Sequence, residues 1–467
     1  MMDAARHDMA ICTRTLMVLL LLWCGGVLRG QTAATTMDTD FWVGFLKGYE
    51  DVVSSNDTLS LLVSGSTPTT GTATCDTMSI NFSVTPGTTT HVVLPNDFPT
   101  ATFGIHVTTS EPVSLYASYY RHHSHDITGV LPTSTIGNDY VLQSYQDTST
   151  SPLLSKNNEF CVVATQDSTT VYYQIGDNSS AMADSVLLYA GQAFKWIMSA
   201  PLSGTHVWTT DCGKPIAVFI GHECAYVPFD ETACDHLYEQ AIPTRYWGRN
   251  FVVTSSLLRD HDILRVTALS DSTTFTFGST TQTLEARQTV EFDIRSKTIP
   301  ATFLESDKPV SVILYLTGNM YTHNPFDYSM LGVADPAMVV VHPVEQQIRQ
   351  ATFTTFHYQY WNYHNVNITI NSNSINDIAL DGVPIGDEFS RVPHHPEYAY
   401  ARLAIEEGSH TLSSQNGGFI AYAYGFGDQE SYDYALGTSL GIGSPQLRIA
   451  DIPSAQIDST NNIFLSR

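Results

Sequence analysis

The sequence predicts an all-β protein built from tandem, repeated β-sandwich-like units, with a β-propeller-like arrangement as the alternative. Three observations predict it. The phrase EPVSLYASYY at 111–120 returns as GKPIAVFIGH at 213–222 and as DKPVSVILYLTG at 307–318, with a degenerate copy, GGFIAYAYGFG, at 417–427. Short segments rich in Val, Ile, Thr, Tyr and Phe are separated by Gly, Asp, Asn and Pro, the composition of strands and turns. Beyond residue 31 no stretch keeps a helical period over three turns.

The three full copies begin at Pro112, Pro215 and Pro309, 103 and 94 residues apart. A strand tolerates proline at its first position, where the missing N–H does least harm. The run after each proline is apolar on both faces, which predicts a central strand covered from two sides. Upstream partners recur in a fixed order, as a duplication requires. DFWVGF (40–45), GNDYVLQSY (137–145), GRNFVVTSS (248–256) and RQATFTTF (349–356) read as opening strands. SNDTLSLLVSG (55–65), TQDSTTVYYQIG (165–176) and LSDSTTFTFGST (269–280) read as strand–turn–strand, with the aspartate accepting a backbone N–H two residues on to hold the bend. Six or seven strands in roughly 80–100 residues is the content of a sandwich, whereas a propeller blade takes about 40–50 residues. The expected division is a signal peptide at 1–30, β units at 31–128, 129–232, 233–330 and 331–430, and a tail at 431–467.

Charge removes several function classes. The 21 Lys+Arg against 46 Asp+Glu give a formal charge of −25. A nucleic-acid partner is therefore excluded, because phosphates need cations opposite them. An anionic lipid surface is disfavoured for the same reason. Arg6 and Arg14 precede LMVLLLLW (16–23) and then small residues, the layout of a secretory leader cut near Gly30. The mature chain shows no apolar run of membrane-spanning length, so it is expected to be secreted or held at the cell surface.

Export permits disulfides. Cys12 and Cys24 leave with the leader, and Cys75, Cys161, Cys212, Cys224 and Cys234 remain. The number is odd, so at least one thiol stays single or pairs between chains. The expected bridges are Cys161–Cys212, across about 50 residues and worth about 3–4 kcal/mol in the chain-entropy model, and Cys224–Cys234 around YVPFDETA. The alternative gives Cys75 a place in one bridge. Asn-x-Ser/Thr sequons stand at Asn56, Asn81, Asn178 and Asn367.

RHHSHD (121–126) is the densest histidine cluster. His122, His123, His125 and Asp126 are weak metal candidates, since imidazole and carboxylate suit zinc. Asp126 comes one residue early for the His-x-His-x-Asp-His pattern, so a polar loop is preferred and no cofactor is expected. His222-Glu223 opens like a zincin helix motif, but Tyr226 holds the second histidine position and the context is a strand end. HHPEY (394–398) reads as a turn. There is no Gly-x-Ser-x-Gly and no phosphate loop. Asp167 and Asp271 occupy equivalent turns, which needs no catalysis. The aromatics of DFWVGF, TRYWGRNF and YQYWNYHN read as core rather than ligand platform.

Two longer blocks carry a resemblance. ACDHLYEQAIPTRYWGRNFVV (233–253) and GVADPAMVVVHPVEQQIRQATF (332–353), with DFWVGF and the repeated Lys-Pro-Val strand, resemble the N-terminal domain family of the IgGFc-binding protein. The matching residues are Cys234, Asp235, His236, Leu237, Glu239, Gln240, Pro243, Trp247, Gly248 and Phe251, then Asp335, Pro336, Met338, Pro343, Glu345 and Gln346. The family takes its name from a mucus glycoprotein reported to bind the Fc part of IgG. The resemblance therefore implies an extracellular recognition or adhesion module whose partner is a protein or glycoprotein, immunoglobulin or mucin-like. It supplies no binding residues, and the chain lacks the relative's cysteine-rich repeats. Glu239 and Glu345, one in each block, are expected to pair with Arg245 or Arg349 and lock neighbouring units. The rival readings are an extracellular hydrolase of glycans, metal-assisted through the histidine loop, and a structural spacer.

Overall fold

The computed structural model describes residues 36–48, 57–121, 123–145, 156–177, 182–228, 234–295, 299–318, 333–356, 361–440, 456–457 and 463–464. The expected leader lies outside the described residues. Among the described residues the helices are short 3-10 turns and the rest of the regular structure is strand. The all-β class is therefore observed.

One pattern of pairing recurs four times. Its first copy is β1 (Asp38–Val43), β2 (Thr58–Gly65), β3 (Thr69–Cys75), β4 (Met78–Val84), β5 (Thr89–Val93), β6 (Ile105–Arg121) and β7 (Ser124–Gly129). The first half of β6 pairs with β1 and β3, and β4 lies beyond β3. Its second half pairs with β2 and β7, and β5 lies beyond β2. Between the halves the register slips: Asp38 faces Val113 but Asp40 faces Thr108. Pro112 lies in that slip, where the strand turns from one layer to the other and no ladder bond needs its N–H.

The second copy is β8 (Asp139–Val141), β9 (Asn158–Ala164), β10 (Thr169–Gln174), β11 (Asp184–Leu188), β12 (Ala193–Met198), β13 (His206–Trp208), β14 (Ile216–Ala225) and β15 (Asp235–Gln240). Here the corner strand is cut in two, as β13 and β14, and its layers are β11-β10-β13-β8 and β12-β9-β14-β15. The third is β16 (Gly248–Thr254), β17 (His261–Ala268), β18 (Thr273–Phe277), β19 (Thr280–Leu284), β20 (Thr289–Arg295), β21 (Ala301–Leu316) and β22 (Ala337–Val341). The fourth is β23 (Gln350–Thr354), β24 (Trp361–Asn371), β25 (Ile378–Leu380), β26 (Val383–Pro384), β27 (Ser390–Val392), β28 (His395–Ile405), β29 (Ser409–Ser414), β30 (Phe419–Gly427) and β31 (Glu430–Ala435). Every named pairing is antiparallel.

The cores explain why the proline-led strands are apolar on both faces. The first sandwich interior, with Leu61, Val107 and Leu115, also takes in Cys161, Val163 and Phe219 from the second copy. The second interior takes in Ile313, Tyr315 and Met338 from the third. The third takes in Ile420 and Tyr422 from the fourth. The fourth takes in Leu62, Tyr116 and Ile127 from the first. Each inner sheet thus packs its own partner on one side and the preceding copy on the other, and the series closes on itself. The two sequence alternatives meet here: the copies are sandwiches, and they stand in a propeller-like ring.

The repeated Asp-Ser-Thr turns differ in detail from expectation. Asp167 Oδ1 accepts the N–H of Ala190 and Asp271 Oδ1 that of Ala286, both at 3.0 Å. These partners lie in a neighbouring loop rather than two residues on. The lysine before Pro215 and before Pro309 completes the device: Lys214 Nζ donates to Ser168 O at 3.0 Å and Lys308 Nζ to Ser272 O at 3.1 Å.

Candidate functional site

Four return strands, β7, β15, β22 and β31, follow the proline-led strands, and each lies at an edge of its own sheet. They pack in a circle, β7 on β15, β15 on β22, β22 on β31 and β31 on β7, without forming ladders between copies. Buried strand edges leave N–H groups that must find acceptors. Side chains supply them. Asp126 Oδ2 accepts the N–H of Tyr238 at 2.8 Å, and Asp235 Oδ2 that of His125 at 3.4 Å. Glu239 Oε1 accepts from Val340 N at 3.1 Å, Ser431 Oγ from Asp335 N at 2.9 Å, and Glu430 Oε1 from His123 N at 2.7 Å.

Four residues of the family-like blocks, Asp235, Glu239, Gln240 and Gln346, bridge the copies in this way. Gln240 Oε1 accepts the N–H of Leu131 at 2.6 Å, and Gln346 Nε2 donates to Tyr246 O at 2.7 Å. Each glutamine reaches back to the linker that follows the preceding copy. The expected Glu–Arg locks do not form: Glu239 caps Val340, Glu345 accepts from Asn250 Nδ2 at 2.8 Å, and Arg245 donates to the carbonyls of Thr135 and Ile136. For the buried Glu239, an ion pair would have had to offset the desolvation of two charges.

Burial sets the electrostatics of the ring. It pushes Glu239 and Glu430 up to about 8 and raises Asp126, Asp235 and Asp433 well above the carboxylate range. Asp335 and Glu430 beside Asp235 add to its shift. Burial also pulls His125, His222 and His236 down to about 3. The axis therefore holds neutral acids and neutral imidazoles.

The histidine loop does not converge. His122 lies outside the described residues. His123 is exposed at a left-handed turn, φ 63°, while His125 is buried with Nε2 2.9 Å from Ser118 Oγ. Asp126, next along the strand, points to the other face. Among the described residues no three His, Cys, Asp or Glu side chains are placed to hold a metal ion. His222 is buried, and its Nδ1 accepts Cys224 N at 3.1 Å. His394 makes the tight turn between β27 and β28 with φ 64°.

Cys224 and Cys234 are joined, closing the mouth of the β14–β15 hairpin. Cys161 and Cys212 are not joined, which corrects that expectation. Cys161 faces Phe219 in the ladder and lies buried in the first core, whereas Cys212 is exposed at the corner before β14. The corner separates the two along the sandwich. Cys75 is a buried thiol.

The expected core aromatics are core: Phe41, Trp42, Phe45, Tyr246, Trp247 and Phe251 are buried. Residues 358–360 of the third aromatic motif lie outside the described residues. Sequence reasoning missed an aromatic stack on the solvent face of β11-β10-β13-β8. Tyr172 stacks on Trp208, centroids 5.6 Å apart, and Trp208 on His206 at 4.3 Å. All three are half-buried, and Leu187 beside them is 54% exposed. His206 Nε2 is 2.8 Å from Asp139 Oδ2, and Thr244 Oγ1 donates to Asp139 Oδ1 at 2.6 Å. In the first copy, His106, Asp40 and Thr133 repeat this arrangement, but there the stacked Trp42 is buried. The usable signal was the alternation of TTVYYQ, which turns Thr170, Tyr172 and Gln174 outward.

Comparison with known proteins now meets this geometry. The human IgGFc-binding protein is 31% identical over 151 residues, covering 30% of this chain and 3% of that protein. The chain thus matches a small fraction of that relative's length. A solved tetra-tandem repeat from the extending region of a large adhesion protein aligns over 80% of this chain and 91% of its own, at 11% identity and a TM-score of 0.10, a likeness that carries no argument. A family model described as IgGFc binding protein matches residues 126–425, a span that begins at the ring aspartate and contains both capping blocks. The chain belongs to the IgGFc-binding protein family.

Proposed function

We propose that the protein is a secreted or surface-held recognition module that binds a protein or glycoprotein and carries out no catalysis. The observation that carries this reading is the Tyr172–Trp208–His206 stack on an outer sheet face. Aromatic faces beside polar groups anchor interfaces and sugar rings. Asp139 orients His206 from beneath, so the stack is held rather than loose. The residues by which the family is recognised cap strand edges, fill cores and form the disulfide, which leaves outer faces to meet a ligand. The relative's name makes immunoglobulin the first ligand to try, with mucins beside it.

The reading includes a leader at 1–30 and four β units followed by a tail. Because β15 pairs with β14 of the second copy and β22 with β21 of the third, we place the second and third boundaries after Gln240 and Val341. The test is a binding screen of the secreted chain against immunoglobulins, mucins and a glycan array, followed by Trp208→Ala. A loss of at least about tenfold is expected for a central aromatic anchor. A ligand bound equally well by the variant removes the site, and a blank screen removes the function.

A further inference from the structure

We infer that Asn81 is a site of N-linked glycosylation, and that Asn367, which carries the same sequence signal, is not. This rests on the export proposed above.

A sequon places its asparagine and its hydroxyl residue two positions apart, and in a strand such side chains share a face. On β4, Asn81 and Ser83 both point outward and are exposed, while Phe82 between them turns into the first core. β4 is the outermost strand of its layer, beyond β3. Around Asn81 lies an open groove of about 460 Å³ whose lining includes the hydroxyl side chains of Thr70, Thr72, Ser83, Thr109 and Ser110. Thr72 Oγ1 donates to Asn81 Oδ1 at 2.8 Å. That bond uses the amide oxygen and leaves Nδ2 to carry a sugar.

In the transfer, Nδ2 attacks C1 of a lipid-linked oligosaccharyl pyrophosphate. The N–C1 bond forms, the C1–O bond to phosphate breaks, the pyrophosphate leaves with the electron pair, and Nδ2 gives up a proton. A glycan attached there must then be accommodated by the folded surroundings, and one that is not prevents folding and secretion. At Asn81 the sugar stands over a hydroxyl-lined groove on the outermost strand of its layer.

Asn367 and Thr369 also share a face, on β24, but β24 runs between β28 and β30 and both residues are 3% exposed. Asn367 Nδ2 donates to Ser255 O at 3.2 Å and its Oδ1 accepts from Tyr424 OH at 3.0 Å. A sugar there would displace both bonds and occupy core volume.

The full chain is expressed in a eukaryotic secretory host, and peptides from the medium are released with a peptide N-glycosidase in ¹⁸O water. The expected result is ¹⁸O-labelled aspartate at 81 and unlabelled asparagine at 367, with Ser83→Ala abolishing the first label while secretion continues. Secreted chain with Asn81 bare, or with Asn367 labelled, overturns the assignment and leaves export standing. Chain retained in the cytosol with no modified sequon overturns export and this assignment together.

Discussion

The carboxyl group of Asp126 accepts the backbone N–H of Tyr238 at 2.8 Å, across a seam between two sheets that share no ladder. Its other oxygen holds the N–H of Ile127 at 2.8 Å. One side chain thus satisfies two donors that burial has cut off from water.

Asp126→Ala is expected to cost about 3 kcal/mol, since each buried donor left unpaired costs about 1–3 kcal/mol. Asp126→Asn keeps one acceptor for the two donors and should cost less than Ala, about 1–2 kcal/mol, because only one N–H is left unpaired. Chemical denaturation of both variants checks the order. Equal losses would show that the bond to Tyr238 contributes nothing.

Stability should fall as pH rises above neutrality. Glu159, Glu239 and Glu430 are pushed by burial from 4.5 to about 8. Between those values the folded state holds more protons than the unfolded one, so their contribution is whole below about pH 4.5 and is lost as pH climbs to 8. His125, His222 and His236, lowered from 6.5 to about 3, work in the opposite direction, but only below 6.5. The window from 6.5 to 8 therefore isolates the acids. Melting temperature should decline across it, and Glu239→Gln should flatten the decline. A rising curve would contradict neutral burial of these groups.

Cys75 and Cys161 should resist alkylation in the native protein and react once it unfolds. Both are fully buried, and burial raises each thiol to about 11, so little thiolate exists to attack. Mass mapping after iodoacetamide decides it. Removing the Cys224–Cys234 bridge should cost about 3 kcal/mol for so short a loop.

Gly221→Ala should disrupt the β14–β15 pairing that holds one strand of the ring. A Cβ at 221 would lie 1.8 Å from Leu237 O and 2.5 Å from Leu46 Cδ1. The tip of Leu46 can rotate aside, but Leu237 O is backbone of the paired strand β15 and cannot give way cheaply. Soluble, folded Gly221→Ala protein at native yield would disprove the close approach.

The repeat was legible because strand period, turn chemistry and proline placement are local properties. The apolar runs on both sides of the proline-led strands also announced two-sided burial. What covers the second side was not legible, because it comes from another copy about 100 residues away. The His125–Asp126 pair shows the same limit. Its residue types suit a metal, yet adjacent residues in a strand point apart, and burial in a closed ring makes one a neutral imidazole and the other a neutral cap.

Sequence alone determined the all-β class, the fourfold phrase and the family, since these rest on spacing and residue type along one strand. Only the tertiary structure decided which matching signals face water. Asn81-Phe82-Ser83 and Asn367-Ile368-Thr369 are equivalent as text, but one lies on an outermost strand and the other between two neighbours. Cys161 and Cys212 looked equally suited to a bridge until the corner of the sandwich set them apart. Exposure is a property of what packs against a strand, and the chain folded into a ring before that was fixed.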